Sequence, residues 1–209
     1  MRNKSIAIAL LLAFIGGSAF AENDIIADWA QIKPPPPPVL KPVDIEPGAT
    51  ALVLMDFDKN SCIPAKRARC AEALPAVSAL LAKARDHHLL VVHFFNKNMT
   101  REDIVSSVAP KGDEEVFQAS GDKFYGTKLG DMLRKKGIRT VILAGTSANG
   151  PVLTTTLGAY EENFRAIVPI DTMPADTAWQ EQFSAWAIAN GPAFREVSTL
   201  TRSDMVRFK

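Results

Sequence analysis

From Ala51 onward the chain alternates short, almost wholly apolar runs with longer stretches whose apolar residues recur every three or four positions. That alternation is the pattern of a mostly parallel sheet with helices on both faces, because parallel strands need long crossovers and are buried on both sides. Residues 51–55 (Ala-Leu-Val-Leu-Met) leave no polar side chain for a solvated face, so they predict a central strand that delivers Asp56 at its carboxyl end. Further strands are expected over 89–95, 140–144, 165–170 and 194–200, with a short one around Val116 in the polar stretch 96–121. Helical spacing predicts helices over 73–86, 152–163 and 175–190, and one that Thr127 caps and Gly137 closes. The expected fold class is α/β: one three-layer, doubly wound domain over residues 49–209, without internal repeat.

Residues 1–21 read as a secretory signal: Arg2 and Lys4 form a positive start, an apolar run follows over 6–15, and Ala19-Phe20-Ala21 offers small residues for cleavage. The apolar run is short for a bilayer span, so no integral membrane segment is expected after cleavage, and a periplasmic or secreted location follows. Residues 22–48 form a proline-rich segment with Pro34 to Pro38 consecutive. Polyproline geometry removes every backbone donor there, which predicts a spacer or surface strap outside any sheet.

Export places Cys62 and Cys70, the chain's two cysteines, in an oxidising compartment. A disulfide between them is expected; two free thiols, or Cys62 as a nucleophile, are the alternatives. With 24 basic and 23 acidic residues the net charge is +1, so the basic surplus that phosphate backbones demand is missing and nucleic acid is not an expected partner.

Ligands of open parallel sheets bind beyond the carboxyl ends of the strands, where Asp56, the turn 146–151 and Asp171 fall. An ionised carboxylate directly after an apolar strand is partly desolvated and needs a reason, either function or a structural pairing with a residue such as Lys59. His87 and His88 suit a helix terminus. His93, inside an apolar strand, suits the core better than the pocket. Trp179, Phe183 and Trp186 recur at helical spacing and suit either the core or a face between subunits, so a homo-oligomer is compatible with the sequence.

Residues 50–199 resemble the isochorismatase-like hydrolase superfamily. Thr-Ala-Leu-Val-Leu-Met-Asp56-Phe57 resembles its opening strand with the catalytic aspartate. Lys123-Phe124-Tyr125-Gly126-Thr127-Lys128-Leu129 resembles its Phe-x-Gly-Thr-x-Leu helix start, and residues 137–152 resemble its strand and nucleophile elbow. The resemblance implies a small-molecule substrate, no cofactor and a cis peptide at Thr146–Ser147. Metal-binding members place an Asp and two His together, whereas only His93 stands here, so no metal site is implied.

The family's amide hydrolases use an aspartate, a lysine and a cysteine. By register the cysteine position falls on Pro151, which has neither a nucleophile nor an N–H for an oxyanion. The lysine position falls on Gln118, with Lys123 as the nearby substitute. True isochorismatases also work without the cysteine, using the aspartate as a proton donor. The resemblance therefore implies a hydrolase acting through Asp56 as acid/base, with Lys123 or Gln118 beside it, and the signal-like start places it in the cell envelope. Phe57, Phe124, Tyr125, Asn149 and Pro151 are the candidate substrate-binding residues. The alternative is an inactive family member that binds a small molecule.

Overall fold

The computed structural model describes residues 24–209, so the signal-like segment 1–21 lies outside the described residues. Contacts divide the chain into two units, one ending at Pro36 and one spanning Pro37–Lys209. In the first, Asp24 accepts the backbone N–H groups of Ile26 and Ala27 and so caps a single-turn helix, α1 (Ile25–Asp28).

The second unit holds two sheets. Strands β1 (Val43–Ile45) and β8 (Val206–Phe208) pair as a two-stranded parallel ribbon. The main sheet contains β2 (Thr50–Met55), β3 (Leu90–Phe95), β4 (Glu115–Gln118), β5 (Thr140–Gly145), β6 (Arg165–Pro169) and β7 (Ser198–Thr201), all parallel. Its spatial order is β4-β3-β2-β5-β6-β7, so the direction of winding reverses between β2 and β5.

β2 shows why an unbroken apolar run suits the middle of such a sheet. Ala51, Val53 and Met55 face one core, and Leu52 and Leu54 face the other. The first core is closed by α3 (Leu129–Lys135), α4 (Leu153–Glu161) and α5 (Ala178–Asn190) through Leu129, Leu133, Ala159 and Ile188. The second is closed by α2 (Pro64–Asp86) through Cys70, Val77, Leu80, Leu81 and Ala84, with Ile45 and Val206 of the ribbon beside them. Each fully buried aliphatic side chain contributes roughly 1.5–3 kcal/mol relative to exposure.

Several boundaries differ from the sequence expectation. The segment expected to stay outside any sheet contains β1, because the chain beyond Pro42 is free to donate to a ladder. α2 begins at Pro64 rather than at residue 73: proline is tolerated at a first helical position, and Pro75 is accommodated within the helix. Residues 175–177 are not helical, since Thr177 and Gln180 form a reciprocal cap that starts α5. The last strand is preceded by the short helix α6 (Phe194–Val197). Trp179, Phe183 and Trp186 are not core: they are 60%, 41% and 43% exposed, while Ser184 and Ile188 carry the buried face of α5.

Candidate active site

The parallel register pairs Met55 with Phe94 on one side and with Gly145 on the other. One residue further on, Asp56 donates its N–H to Phe94 O at 2.9 Å, and Thr146 donates to Met55 O at 3.0 Å. The two residues therefore lie side by side at the point where the strand order reverses. Asp56 sits in left-handed backbone space, φ 58°, a conformation that aspartate tolerates better than most residues and that ends the strand abruptly. Gly145 permits the close approach of β5 to β2, since a Cβ there would meet Met55 Cβ at 2.7 Å.

Lys123 supplies the partner. Its side chain is 0% exposed, and its Nζ donates to Asp56 Oδ2 at 2.8 Å and to Ala119 O at 2.8 Å. The ammonium also lies 5.7 Å from the centre of the Phe94 ring. The loop that carries it is pinned to α4: Lys123 N–H donates to the buried Thr155 Oγ1 at 3.1 Å. Thr127 Oγ1 donates to Lys123 O at 2.6 Å. Asp122, which accepts the Phe124 N–H at 2.9 Å, packs where Gly158 leaves room for it. Burial pushes the Asp56 carboxyl above its ordinary value against the opposing pull of Lys123. Burial likewise pulls Lys123 down, with Asp56 opposing.

Asp56 Oδ1 is buried and has no hydrogen-bond partner among the described residues. A buried carboxylate oxygen without a donor is costly, which marks Asp56 as a candidate functional group. One oxygen is fixed by the ammonium and the other is left for a donor from a ligand or water.

Behind Asp56 the chain turns through a cis peptide at Thr146–Ser147, the bond the family resemblance indicates, and then through the wide turn Ala148–Val152 that carries Pro151. Ala148 N–H donates to Pro174 O at 3.1 Å, tying this elbow to the loop after β6. Cys62 and Cys70 are joined in a disulfide, so both of the chain's cysteines are engaged. The arc they close carries Arg67, whose guanidinium donates to Thr146 Oγ1 at 2.8 Å and to Asp176 Oδ1 at 2.6 Å.

The structure thus brings Asp56 and Lys123 together and leaves other candidates outside. Gln118 is exposed at the end of β4 and donates to the carbonyls of Lys97 and Met99, so the lysine beside Asp56 comes from further along the loop. Tyr125 is 86% exposed, next to Gly126 in left-handed backbone space. Asn149 is also exposed, and Pro151 is half-buried. Phe57 and Phe124 are buried, but in opposite cores, with Phe124 stacked on Phe164. Sequence reasoning missed Phe94 and Arg67; Phe94 was readable as the strand residue in register with Met55 only once β3 was known to neighbour β2.

Asp171 belongs elsewhere: it accepts from the backbone and hydroxyl of Ser203. His93 is buried against α2, with Nε2 2.9 Å from Glu114 Oε2, while Arg85 holds the same carboxylate. His87 caps α2 and stacks on Phe208. Among the described residues no three His, Cys, Asp or Glu side chains cluster to hold a metal ion. A cavity of about 450 Å³, lined by Glu46, Arg139 and Arg165 among others, opens where β2, β5 and β6 begin, at the end of the sheet opposite Asp56.

A parallel sheet whose winding reverses beside a strand-end acid and a buried lysine defines a doubly wound α/β domain with a candidate small-molecule site at the reversal. The Isochorismatase domain pattern matches residues 50–202, and the chain belongs to that family. It is 29% identical to maleamate amidohydrolase of Pseudomonas putida, over 56% of this chain and 68% of that protein. Its fold matches a cysteine hydrolase from Pseudomonas syringae pv. phaseolicola with a TM-score of 0.67 at 20% identity, covering 80% of this chain and 94% of that one. It also matches N-carbamoylsarcosine amidase from Thermoplasma acidophilum with a TM-score of 0.62 at 24% identity, covering 74% and 96%. An isochorismatase-family, hydrolase-like function is what these likenesses support, acting on small molecules. Among the described residues no helix is long and apolar enough to cross a membrane.

Proposed function

We propose that this chain is an exported hydrolase of a small molecule, working through Asp56 as acid/base and Lys123 as its charge partner rather than through a cysteine nucleophile. The observation that carries this reading is the asymmetry of the Asp56 carboxyl, with Oδ2 held by Lys123 and Oδ1 buried without a donor. In its ionised form Oδ1 accepts a proton from an attacking water; in its protonated form it returns that proton to the leaving group. Burial raises the Asp56 carboxyl above its ordinary value against the pull of Lys123, which favours proton uptake there.

Both cysteines lie in the disulfide, and Pro151 stands in the elbow without a nucleophile or an N–H. These two facts support a cysteine-free route. The same Pro151 favours the second reading, a binding protein that has lost turnover, because an oxyanion donor at the elbow is worth about 3–4 kcal/mol of transition-state stabilisation. Export is supported by the signal-like pattern of residues 1–21 and by the disulfide, which persists in oxidising compartments.

The test is a panel of small amides, esters and vinyl ethers assayed with the full chain and with Asp56→Asn. Turnover of any member, reduced at least a hundredfold in the variant, supports the hydrolase. Ligand affinity preserved in both proteins without turnover establishes the binder instead.

A further inference from the structure

The floor of the cavity at the amino end of the main sheet is set by strand register. Thr50 of β2, Thr140 of β5 and Arg165 of β6 are direct neighbours across three adjacent strands, and all three line the cavity. They fall on the α2 face of the sheet, because Leu52, Ile142 and Ile167, two positions further along each strand, belong to the core that α2 closes. Neighbouring strands lie about 4.8 Å apart, so two hydroxyl side chains and a guanidinium start from one row about 10 Å long. Backbone bonds tie the strands at this level: Arg139 N–H donates to Ala49 O at 2.9 Å, and Arg165 N–H donates to Arg139 O at 3.0 Å. On the same face Ile45 of β1 is buried in the α2 core, with Val43 packed beside it, and both wall the cavity. Asn163, in left-handed backbone space at φ 62°, lines the side where α4 turns into β6.

The charges of the lining are not balanced. Both of its carboxylates are engaged, Asp44 by Arg207 and Lys209 at 2.7 and 3.1 Å, and Glu46 by Arg139 at 3.2 Å. Among the described residues no ion pair reaches Arg165, and no side-chain hydrogen bond engages Thr50, Thr140 or Asn163. An entering anion therefore meets one uncompensated cation and a set of donors with no other protein partner. A single guanidinium fork already satisfies the two coplanar oxygens of a carboxylate. A phosphate group has three terminal oxygens pointing in different directions, which suits donors presented from three strands. The cavity, about 450 Å³, is of the size that holds an organic ligand rather than a bare ion.

We propose that this cavity is a second small-molecule site, and that it takes a phosphate monoester whose phosphate is held by Arg165 together with the hydroxyls of Thr50 and Thr140. The site is separate from Asp56. Thr50 and Asp56 stand at the two ends of β2, a strand length of about 20 Å apart, so occupants of the two places do not compete. The inference therefore stands whether or not Asp56 supports turnover.

The experiment titrates the isotope-labelled full chain with phenyl phosphate, inorganic phosphate and benzoate, reading Kd and the amide resonances that move. Phenyl phosphate is expected to bind at one site and to shift Thr50, Thr140, Asn163 and Arg165 while leaving Asp56 and Lys123 in place. Inorganic phosphate should move the same resonances with lower affinity, and benzoate should bind about tenfold more weakly than phenyl phosphate or not at all. Arg165→Gln should raise the Kd for phenyl phosphate about tenfold or more. Thr140→Val, which keeps the side-chain shape and removes the hydroxyl, should raise it by a smaller factor. The Arg165 side chain is exposed, so Arg165→Gln should melt with the parent, and its lost affinity then reports the contact rather than the fold. No binding of either phosphate at millimolar concentration, benzoate bound as tightly as phenyl phosphate, or a Kd indifferent to Arg165→Gln overturns the proposal. Shifts centred on Asp56 and Lys123 overturn it as well, by assigning the phosphate to the other end of the sheet. Inorganic phosphate bound as tightly as phenyl phosphate overturns the assignment to an ester.

Discussion

Lys123 Nζ lies 2.8 Å from Asp56 Oδ2, and the two residues come from different crossovers of the sheet, each almost wholly shut off from solvent. Burial drives both groups toward their neutral forms, so the pair is stable only as a unit. Lys123→Met is therefore expected to cost about 3–5 kcal/mol by leaving a buried carboxyl without its partner. Asp56→Asn combined with Lys123→Met should recover at least about 1 kcal/mol of the summed single losses. Gln118→Ala, outside the pair, should change stability by less than about 0.5 kcal/mol. Urea denaturation of the four variants checks all three expectations, and additive losses would show the pair to be uncoupled.

Acid should weaken the fold through the cluster on the other face of the sheet. Burial would raise Glu114, but the Arg85 guanidinium, the Lys111 N–H and His93 bring it down to about 2 from an ordinary 4.5. Its folded value is depressed, so the stability it contributes is present in full above 4.5 and drains as pH falls toward 2. His93 acts in the same sense: burial lowers its value against the pull of Glu114, so the unfolded chain takes up that proton first below 6.5. With solvent screening, the Glu114 share is expected to be about 1–2 kcal/mol. Melting curves from pH 7 to pH 2 should show this loss, and Glu114→Gln should flatten the part below pH 4.5; an unchanged slope in that variant would assign the acid lability to other groups.

The Cys62–Cys70 bridge closes a loop with a sequence separation of 8. Loop-closure entropy for so short a ring amounts to about 2–3 kcal/mol. Cys70→Ser should lower stability by that amount, and treating the native chain with a thiol reductant should reproduce the variant's melting temperature. A native melting temperature indifferent to reductant would show the bridge to add nothing to stability.

Gly158 faces the Asp122 carboxylate so closely that a Cβ would overlap it. Gly158→Ala is expected to cost about 1–3 kcal/mol, and adding Asp122→Ala should return part of this by clearing the space, although the Phe124 N–H then loses its acceptor. Chemical denaturation checks the pair, and a Gly158→Ala protein as stable as the parent would mean that the Lys123 loop moves freely against α4.

The sheet was legible because burial on both faces leaves a compositional trace: residues 51–55 and 141–144 have no polar side chain to solvate. Asp56 was legible for the same reason, as the first charge after such a run. Helix starts were less so. Pro64 and Pro75 disguise α2, whose early turns are held by the disulfide and by Arg67 and Arg69 rather than by helical periodicity. The choice between Gln118 and Lys123 was not legible either. Between them the chain folds back so that Lys123 Nζ meets Ala119 O, and no periodicity encodes that reversal.

What the sequence determined by itself is the order along the chain of the main sheet's strands and their long crossover helices, and the acid at the end of the first core strand, because both follow from local patterns of solvation and backbone preference. Which cation stands beside that acid, and that Arg67 leaves its own helix to reach Thr146, were decided only by tertiary structure. Those contacts join residues distant in the chain, and they form once packing of α2 and α4 onto the sheet removes water from the charges and leaves each other as partners.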